Sequence, residues 1–323
     1  MQGKVSPEPN AEARVYVGID VCKAWLDVYL HPLGRKLRLS NDLSGFKRLK
    51  KALKPHGVAL IVMEATGKYH RAAQRTLHAA GFAVAVVNPL RSRLFAEAMG
   101  ALAKTDAVDA RLLAILGESL EPKAVPPSSE AIEELQELVQ ARSAAVAEAS
   151  ALANRAGESR TKFLKTELAR RLKSLERHIA RLAKEILKRI KSDQGLARRY
   201  EILSSIPSFG PIVAATLVAL MSELGLISNK AAALLAGLAP IACDSGQKTG
   251  ARHIKGGRAH VRCALYMAAI AATRCNPDLA AFYKRLRDAG KKPKVALTAV
   301  MRKLILLANT LIRQDRLWET IHA

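Results

Sequence analysis

Two apolar runs, each closed by a carboxylate, constrain this chain more than any other feature. Arg14-Val-Tyr-Val-Gly-Ile-Asp-Val21 is rich in β-branched and aromatic residues, and a second apolar run over 58–63 passes directly into Glu64. Runs that are apolar at both odd and even positions suit strands covered on both faces, in the middle of a sheet layered with helices. A carboxylate at the end of such a strand, here Asp20 or Glu64, is costly unless it is solvated, paired or bound to a cation.

The neighbouring pattern extends this to a domain. Further strands are expected at 24–30, 36–40 and 83–87, the last stopped by Asn88-Pro89. Helical spacing covers Leu43–Leu53, 71–80, 90–102 and 105–120. Strands first and then alternation with helices predict an α/β domain with a mixed sheet over 14–127. Residues 1–13 are polar, hold Pro7 and Pro9, lack the apolar core of a signal peptide and are expected to be disordered. Glu121-Pro-Lys-Ala-Val-Pro-Pro-Ser-Ser129 reads as a linker, and Ser128 or Ser129 can cap the helix that follows.

The stretch 128–199 is expected to be helical. Ile132, Leu135, Val139, Val146, Ala149 and Ala153 keep a three-to-four spacing. After a loop near 157–161, Leu168, Leu172, Leu175, Ile179, Leu182 and Ile186 alternate steps of four and three, the signature of a coiled-coil seam that needs a partner helix from the same chain or a second copy. Its flank carries Arg177, Arg181 and many other cations, which fit either a solvated face or one that tracks phosphates. From 200 to 323 the chain reads as mainly helical, with glycine-bearing turns at Ile206-Pro-Ser-Phe-Gly210 and Asp244-Ser-Gly246 and a basic loop Lys255-Gly-Gly-Arg258.

The charge balance narrows the partner. Against 52 Lys and Arg stand 28 Asp and Glu, a net charge of +24, which points to nucleic acid ahead of an anionic membrane surface. No apolar run approaches the roughly 20 residues of a spanning helix, so a cytoplasmic, nucleoid-associated protein is expected. Cys22, Cys243, Cys263 and Cys275 have no metal-binding spacing and are expected to be reduced, buried or incidental.

Asp106 and Asp109 lie in Lys104-Thr-Asp-Ala-Val-Asp-Ala110, three apart on one helix face. A divalent cation resolves the repulsion of such a pair, and hard oxygen ligands select Mg²⁺ or Mn²⁺. Alone, Asp106 is equally well a first-turn acid favoured by the helix dipole. Together, two strand-end acids and a helical pair form the ordered Asp–Glu–Asp–Asp set of an RNase H-like phosphodiester enzyme.

These motifs give a specific resemblance. Val17-Gly-Ile-Asp20 with Lys23, Met63-Glu-Ala-Thr-Gly67, Asn88-Pro89 and Lys104-Thr-Asp-Ala-Val-Asp-Ala110 resemble the amino-terminal RuvC-like half of the DEDD transposases of the insertion sequence 110 family. Ile206-Pro-Ser-Phe-Gly-Pro211, Gly237-Leu-Ala-Pro240, Asp244-Ser-Gly246, Ile254-Lys-Gly-Gly-Arg258 and Arg302-Lys303-Leu304 resemble its second domain. Cys22 stands where the pattern has a small hydroxyl residue.

The resemblance implies a site-specific DNA recombinase with Asp20, Glu64, Asp106 and Asp109 as catalytic metal ligands and Ser245 as nucleophile. It also implies a bridge-type non-coding RNA, donor and target DNA, and a dimer to tetramer in which the metal site of one copy meets the serine of another. Lys104, Lys248, Arg252, Lys255, Arg258 and Arg262, with Arg177 and Arg181, are the expected nucleic-acid contacts. Without the resemblance, Asp244-Ser-Gly246 is also an ordinary turn, and two other activities stay open: a nuclease using water, or a silent nucleic-acid-binding scaffold. Residues 206–216 also resemble a helix-hairpin-helix turn, with Ser208 where that motif often has glycine.

Overall fold

The computed structural model describes residues 14–65, 67–100, 106–244, 246, 250 and 252–319, with the backbone alone at 106–108. The chain divides into two compact units at Ser128/Ser129.

The first unit is built on a five-stranded sheet. Its strands are β1 (Val15–Val21), β2 (Trp25–His31), β3 (Arg35–Ser40), β4 (Val58–Glu64) and β5 (Val84–Val87), in the order β3-β2-β1-β4-β5. β1 pairs antiparallel with β2 and parallel with β4, β2 antiparallel with β3, and β4 parallel with β5. The sheet is therefore mixed, compatible with an RNase H-like domain. β1 lies at its centre, as the doubly apolar run requires. Val17 and Ile19 pack with Phe46, Leu49 and Leu53 of α1 (Leu43–Leu53) and with Ala73 and Leu77 of α2 (His70–Ala79). The opposite face sends Tyr16 and Val62 against Leu113 and Leu116 of α4 (Asp106–Leu120). Between these helices, α3 spans Pro89–Ala98; the Asn88 side chain caps it by accepting from Leu90 N–H, and Pro89 sits in its first turn.

The close fit of α4 on β1 depends on absent side chains. A Cβ on Gly18 would lie 2.0 Å from the Ala110 carbonyl oxygen and 2.4 Å from the Ala114 nitrogen, and one on Gly117 would lie 2.9 Å from Val62. Gly117 thus lies over the Tyr16 end of β1 and Ala110 over its middle, so α4 runs against the direction of β1 and its first turn lies toward Asp20.

The second unit is helical apart from one short ladder. α5 (Glu130–Glu158) and α6 (Lys162–Ser192) form an antiparallel hairpin, with Ser129 capping α5 and Arg189 of α6 reaching Glu134 of α5 at 2.8 Å. Leu135, Val139, Ile186 and Ile190 at its base join the main core. Toward the tip, Leu168, Leu172, Leu175, Ile179 and Leu182 are half-buried. Between α6 and α7 (Gln194–Ser205) lies a single cap: Asp193 accepts from Leu196 N–H and opens α7. There follow α8 (Pro211–Leu220), α9 (Asn229–Leu235), α10 (Ala259–Cys275), α11 (Pro277–Asp288) and α12 (Pro293–Arg313). The expectation that no run is long and apolar enough to span a membrane is corrected by α12, which passes that test at 21 residues and a mean hydropathy of 1.7. Its Val300, Met301, Leu304, Ile305, Ala308 and Leu311 are buried in the core of the unit, which explains the apolarity. All four cysteines are free and exposed, which fits reduced or incidental thiols rather than buried ones.

Candidate active site

In the first unit, strand register brings the acids together. Ile19 pairs with Met63 across the parallel β1–β4 ladder, so Asp20 and Glu64 follow as neighbours at the same ends of two central strands. Ile19 and Met63 point into the α1–α2 core. Their successors therefore face the other way, toward α4, because side chains alternate along a strand. Both are half-buried, as is Asp109, which directly precedes the Ala110 that seats α4 on Gly18. The side chain of Asp106 lies outside the described residues. Among those described, no three His, Cys, Asp or Glu side chains stand close enough to hold a metal ion.

Two supporting contacts were not legible in the sequence. Ser92 Oγ, on α3, donates to Glu64 Oε2 at 2.6 Å. The only local sign of it is a hydroxyl one turn beyond the Asn88-Pro89 cap. On the other flank, Asp20 pairs in register with Asp27 of β2, and Asp27 with Arg38 of β3. Arg38 grips Asp27 with two hydrogen bonds of 2.8 Å, Nε to Oδ1 and Nη2 to Oδ2. Two carboxylates thus face each other on neighbouring strands with a guanidinium at the edge, an arrangement that limits their repulsion. In sequence, Asp27 and Arg38 read as ordinary polar positions of alternating strands.

In the second unit, β6 (Pro240–Ile241) and β7 (His253–Ile254) form an antiparallel ladder, Pro240 with Ile254 and Ile241 with His253. The expected nucleophile Ser245 belongs to the segment between them and, with Lys248, lies outside the described residues; so does Lys104 of the first unit. The segment is closed at its neck, where Asp244 Oδ1 accepts from Gly250 N–H at 3.0 Å and a Cβ on Gly250 would meet the Cys243 carbonyl at 2.1 Å. Below the ladder, Gly237 and Gly257 cross so closely that a Cβ on Gly257 would lie 2.2 Å from the Gly237 nitrogen. Both take positive φ, +68° and +69°, which only glycine adopts freely.

The basic residues beside this ladder divide into two kinds. Arg258, expected to meet nucleic acid, turns instead into the fold. Its Nη1 donates to the Leu220 carbonyl at 2.6 Å and to Glu223 Oε2 at 2.8 Å, and its Nη2 to Glu223 Oε1 at 2.5 Å. Burial pushes the Glu223 carboxyl up, but the hydrogen bonds and charge of Arg258 outweigh it and hold the group below the usual glutamate range. Arg199 donates to the carbonyls of Met221, Ser222 and Leu224, and burial pulls its guanidinium below the ordinary value. Arg262 Nη1 donates to the Gly256 carbonyl at 2.7 Å. Arg252 and Lys255 remain exposed. On α6, Arg177 and Arg181 line a shallow groove with Lys184. Ser208 takes φ +87°, the left-handed conformation that a glycine would supply in the α7–α8 turn.

Comparison with known proteins identifies relatives of this chain. Residues 17–159 match a family model described as a transposase, of the DEDD type of insertion sequence IS110, and residues 200–284 match a model of the IS116/IS110/IS902 transposase family. The pilin gene-inverting proteins of Moraxella bovis and Moraxella lacunata are 28% and 27% identical over 314 residues, which span 94% of this chain and 97% of each of those proteins. An uncharacterised protein of insertion element IS116 from Streptomyces clavuligerus is 30% identical over 164 residues, 50% of this chain and 40% of that protein.

Proposed function

The chain belongs to the IS110 family of transposases and cuts and rejoins DNA, and on that premise we propose that it does so by transesterification through a covalent phosphoserine at Ser245. The observation that carries the first half of this reading is the register of β1 and β4, which sets Asp20 and Glu64 side by side beneath α4 and Asp109. A DEDD-type transposase domain points to dependence on a divalent metal ion. Asp20, Glu64, Asp106 and Asp109 supply the hard oxygens that suit Mg²⁺ or Mn²⁺. Held there, such an ion would polarise the scissile phosphate and offset the charge that develops on it.

In the proposed chemistry, the Ser245 hydroxyl attacks phosphorus, one bridging phosphorus–oxygen bond breaks, and the leaving deoxyribose hydroxyl takes up a proton. A hydroxyl end of another strand then attacks the phosphoserine and frees Ser245. One hard step becomes two easier ones with no net loss of phosphodiester bonds. Ser92 holds Glu64 in place, and the closed neck at Asp244 and Gly250 anchors the serine-bearing segment. Arg252 and Lys255, with Lys248, offset charge on the phosphate. The family resemblance extends the reading to a bridge-type RNA that selects donor and target DNA by base pairing, to assembly as a dimer or tetramer, and to a cytoplasmic site of action.

One assay tests the chemistry. The protein, its co-purified RNA and DNA carrying the element junction are incubated with Mg²⁺, and products are separated under denaturing conditions. A denaturant-stable protein–DNA adduct is expected in the parent and absent in both Ser245→Ala and Asp106→Asn. Cleaved DNA without adduct would replace this mechanism with hydrolysis by water. Sequencing of the co-purified RNA tests guidance separately, and recovery of no discrete species would overturn it.

A further inference from the structure

We propose that the outer face of α6 is a duplex-DNA backbone site, built as a straight line of cations directly opposite the apolar seam. The proposal rests on the DNA-processing reading above and assigns part of the binding to one surface. Lys173, Arg177, Arg181, Lys184, Lys188 and Lys191 follow one another at steps of four, four, three, four and three. At about 100° per residue they all fall within roughly 50° of a line about 180° from the seam of Leu168, Leu172, Leu175, Ile179, Leu182 and Ile186. All six are exposed. None has an ion-pair partner among the described residues; of the three Glu on the helix, Glu167 is engaged by Arg170 and Glu185 by Arg189, off the line.

The rest of the hairpin does not neutralise the line. α6 carries eleven Lys and Arg against three Glu, whereas α5 carries two Arg against six Glu. Opposite charges so segregated could have zipped the two arms together, yet among the described residues Arg189 with Glu134 is the pair that joins them. The six cations of the line lie on the side of α6 turned away from the acidic arm. Keeping them together raises the repulsion along the helix at every i, i+4 step, a cost that a polyanion removes.

The chemistry of the face favours a duplex over other polyanions. Eighteen residues of helix span about 27 Å, which matches about eight base pairs of one strand. The line holds no aromatic residue on which unstacked bases could lie, as single-strand sites use. It holds no Asn or Gln to pair with adenine edges, and its Lys and Arg are the side chains that contact phosphates, so the site proposed is one of backbone, independent of sequence. A membrane surface is disfavoured because the apolar seam of α6 is turned toward α5, and the exposed Phe163 and Leu164 stand at the hairpin tip, off the line of cations.

The test is the salt dependence of binding to a random-sequence DNA duplex of about 30 base pairs, in EDTA, so that catalysis plays no part and a failure of the phosphoserine mechanism leaves the result unchanged. Each lost phosphate contact lowers the slope of log K against log salt by about 0.9. The variant Arg177→Gln/Arg181→Gln/Lys184→Gln should lower it by about 2.7 and weaken binding by the order of 100-fold at 0.1 M salt. The variant Lys47→Gln/Arg48→Gln/Lys51→Gln, with the same charge change on α1, should keep the parental slope. If the triple α6 variant does not fold, Arg177→Gln and Arg181→Gln singly should each remove about 0.9. An unchanged slope in the α6 variants, an equal loss in the α1 variant, or a loss seen only with duplex RNA would each overturn the proposal.

Discussion

Substituting Gly18 by Ala probes whether the seat of α4 on β1 sets the carboxylate geometry. By backbone entropy alone, Ala in a strand interior should stabilise by about 0.5–1 kcal/mol. The structure reverses that sign. The added carbon would lie 2.0 Å from the Ala110 carbonyl oxygen, where a carbon–oxygen contact needs about 3.3 Å. Helix and sheet must therefore separate by about 1.3 Å, and both partners are backbone, which has no rotamer to yield. Overpacking of this kind costs about 1–3 kcal/mol and here should reach the upper end, roughly a 10 °C fall in the melting of the first unit. Asp109 and Asp106 travel with α4 while Asp20 and Glu64 stay with the sheet, and a misplacement of about 1 Å costs on the order of 100-fold in rate. Thermal unfolding by circular dichroism and DNA cleavage under single-turnover conditions measure the two effects. Gly57→Ala is the control, since a Cβ there meets nothing within 4 Å. A Gly18→Ala protein that melts within about 1 °C of the parent and cuts DNA at its rate would refute the reasoning.

Two further outcomes follow from polar groups inside the second unit. Asn309 is fully buried; its oxygen accepts from Gly225 N–H at 2.8 Å and its nitrogen donates to the Ile227 carbonyl at 3.1 Å and to Asn229 Oδ1 at 2.8 Å. Asn309→Ala strands these partners and should cost about 2–4 kcal/mol in urea unfolding, whereas a loss under 0.5 kcal/mol would mean the loop is held elsewhere. Because Glu223 titrates below its ordinary value when folded, the stability it contributes is fully present above the unfolded glutamate range and is lost as pH falls through the folded pKa. Glu223→Gln should therefore lower stability by roughly 1–2 kcal/mol at pH 7, a figure discounted because the pair is about one-third exposed. The gap between parent and variant should begin to narrow as pH falls below about 4.3 and close below the folded pKa, and a gap independent of pH would sink the assignment.

Much of the first unit was legible because its signals are local. A strand apolar on both sets of positions must be central, and an acid at its end must have a use, so Asp20 and Glu64 could be singled out from their neighbours alone. The i, i+3 spacing of Asp106 and Asp109 is equally local, as is the seam of α6. Ser92, Asp27 and Arg38 escaped notice because their importance comes from which strand or helix lies beside them. Arg258 carries the same charge as Arg252, yet one is bound to Glu223 and the other is exposed. No local pattern distinguishes them, because the difference is the position of the end of α8. The ladder of β6 and β7 is two residues long, too short for a period, and exists because the crossing of Gly237 and Gly257 sets its strands side by side.

The sequence by itself thus determined the strands and helices of the first unit, their inward faces, the acids at strand ends and the excess of positive charge. Tertiary structure alone decided which of those groups meet. Register between β1 and β4 made neighbours of residues 44 positions apart, and the missing side chain of Gly18 set the height of α4 above them. The physical reason is one of range. Periodicity and propensity act over a few residues, whereas the distance between two carboxylates is fixed by hydrogen-bond register and by contact between backbones far apart in the chain.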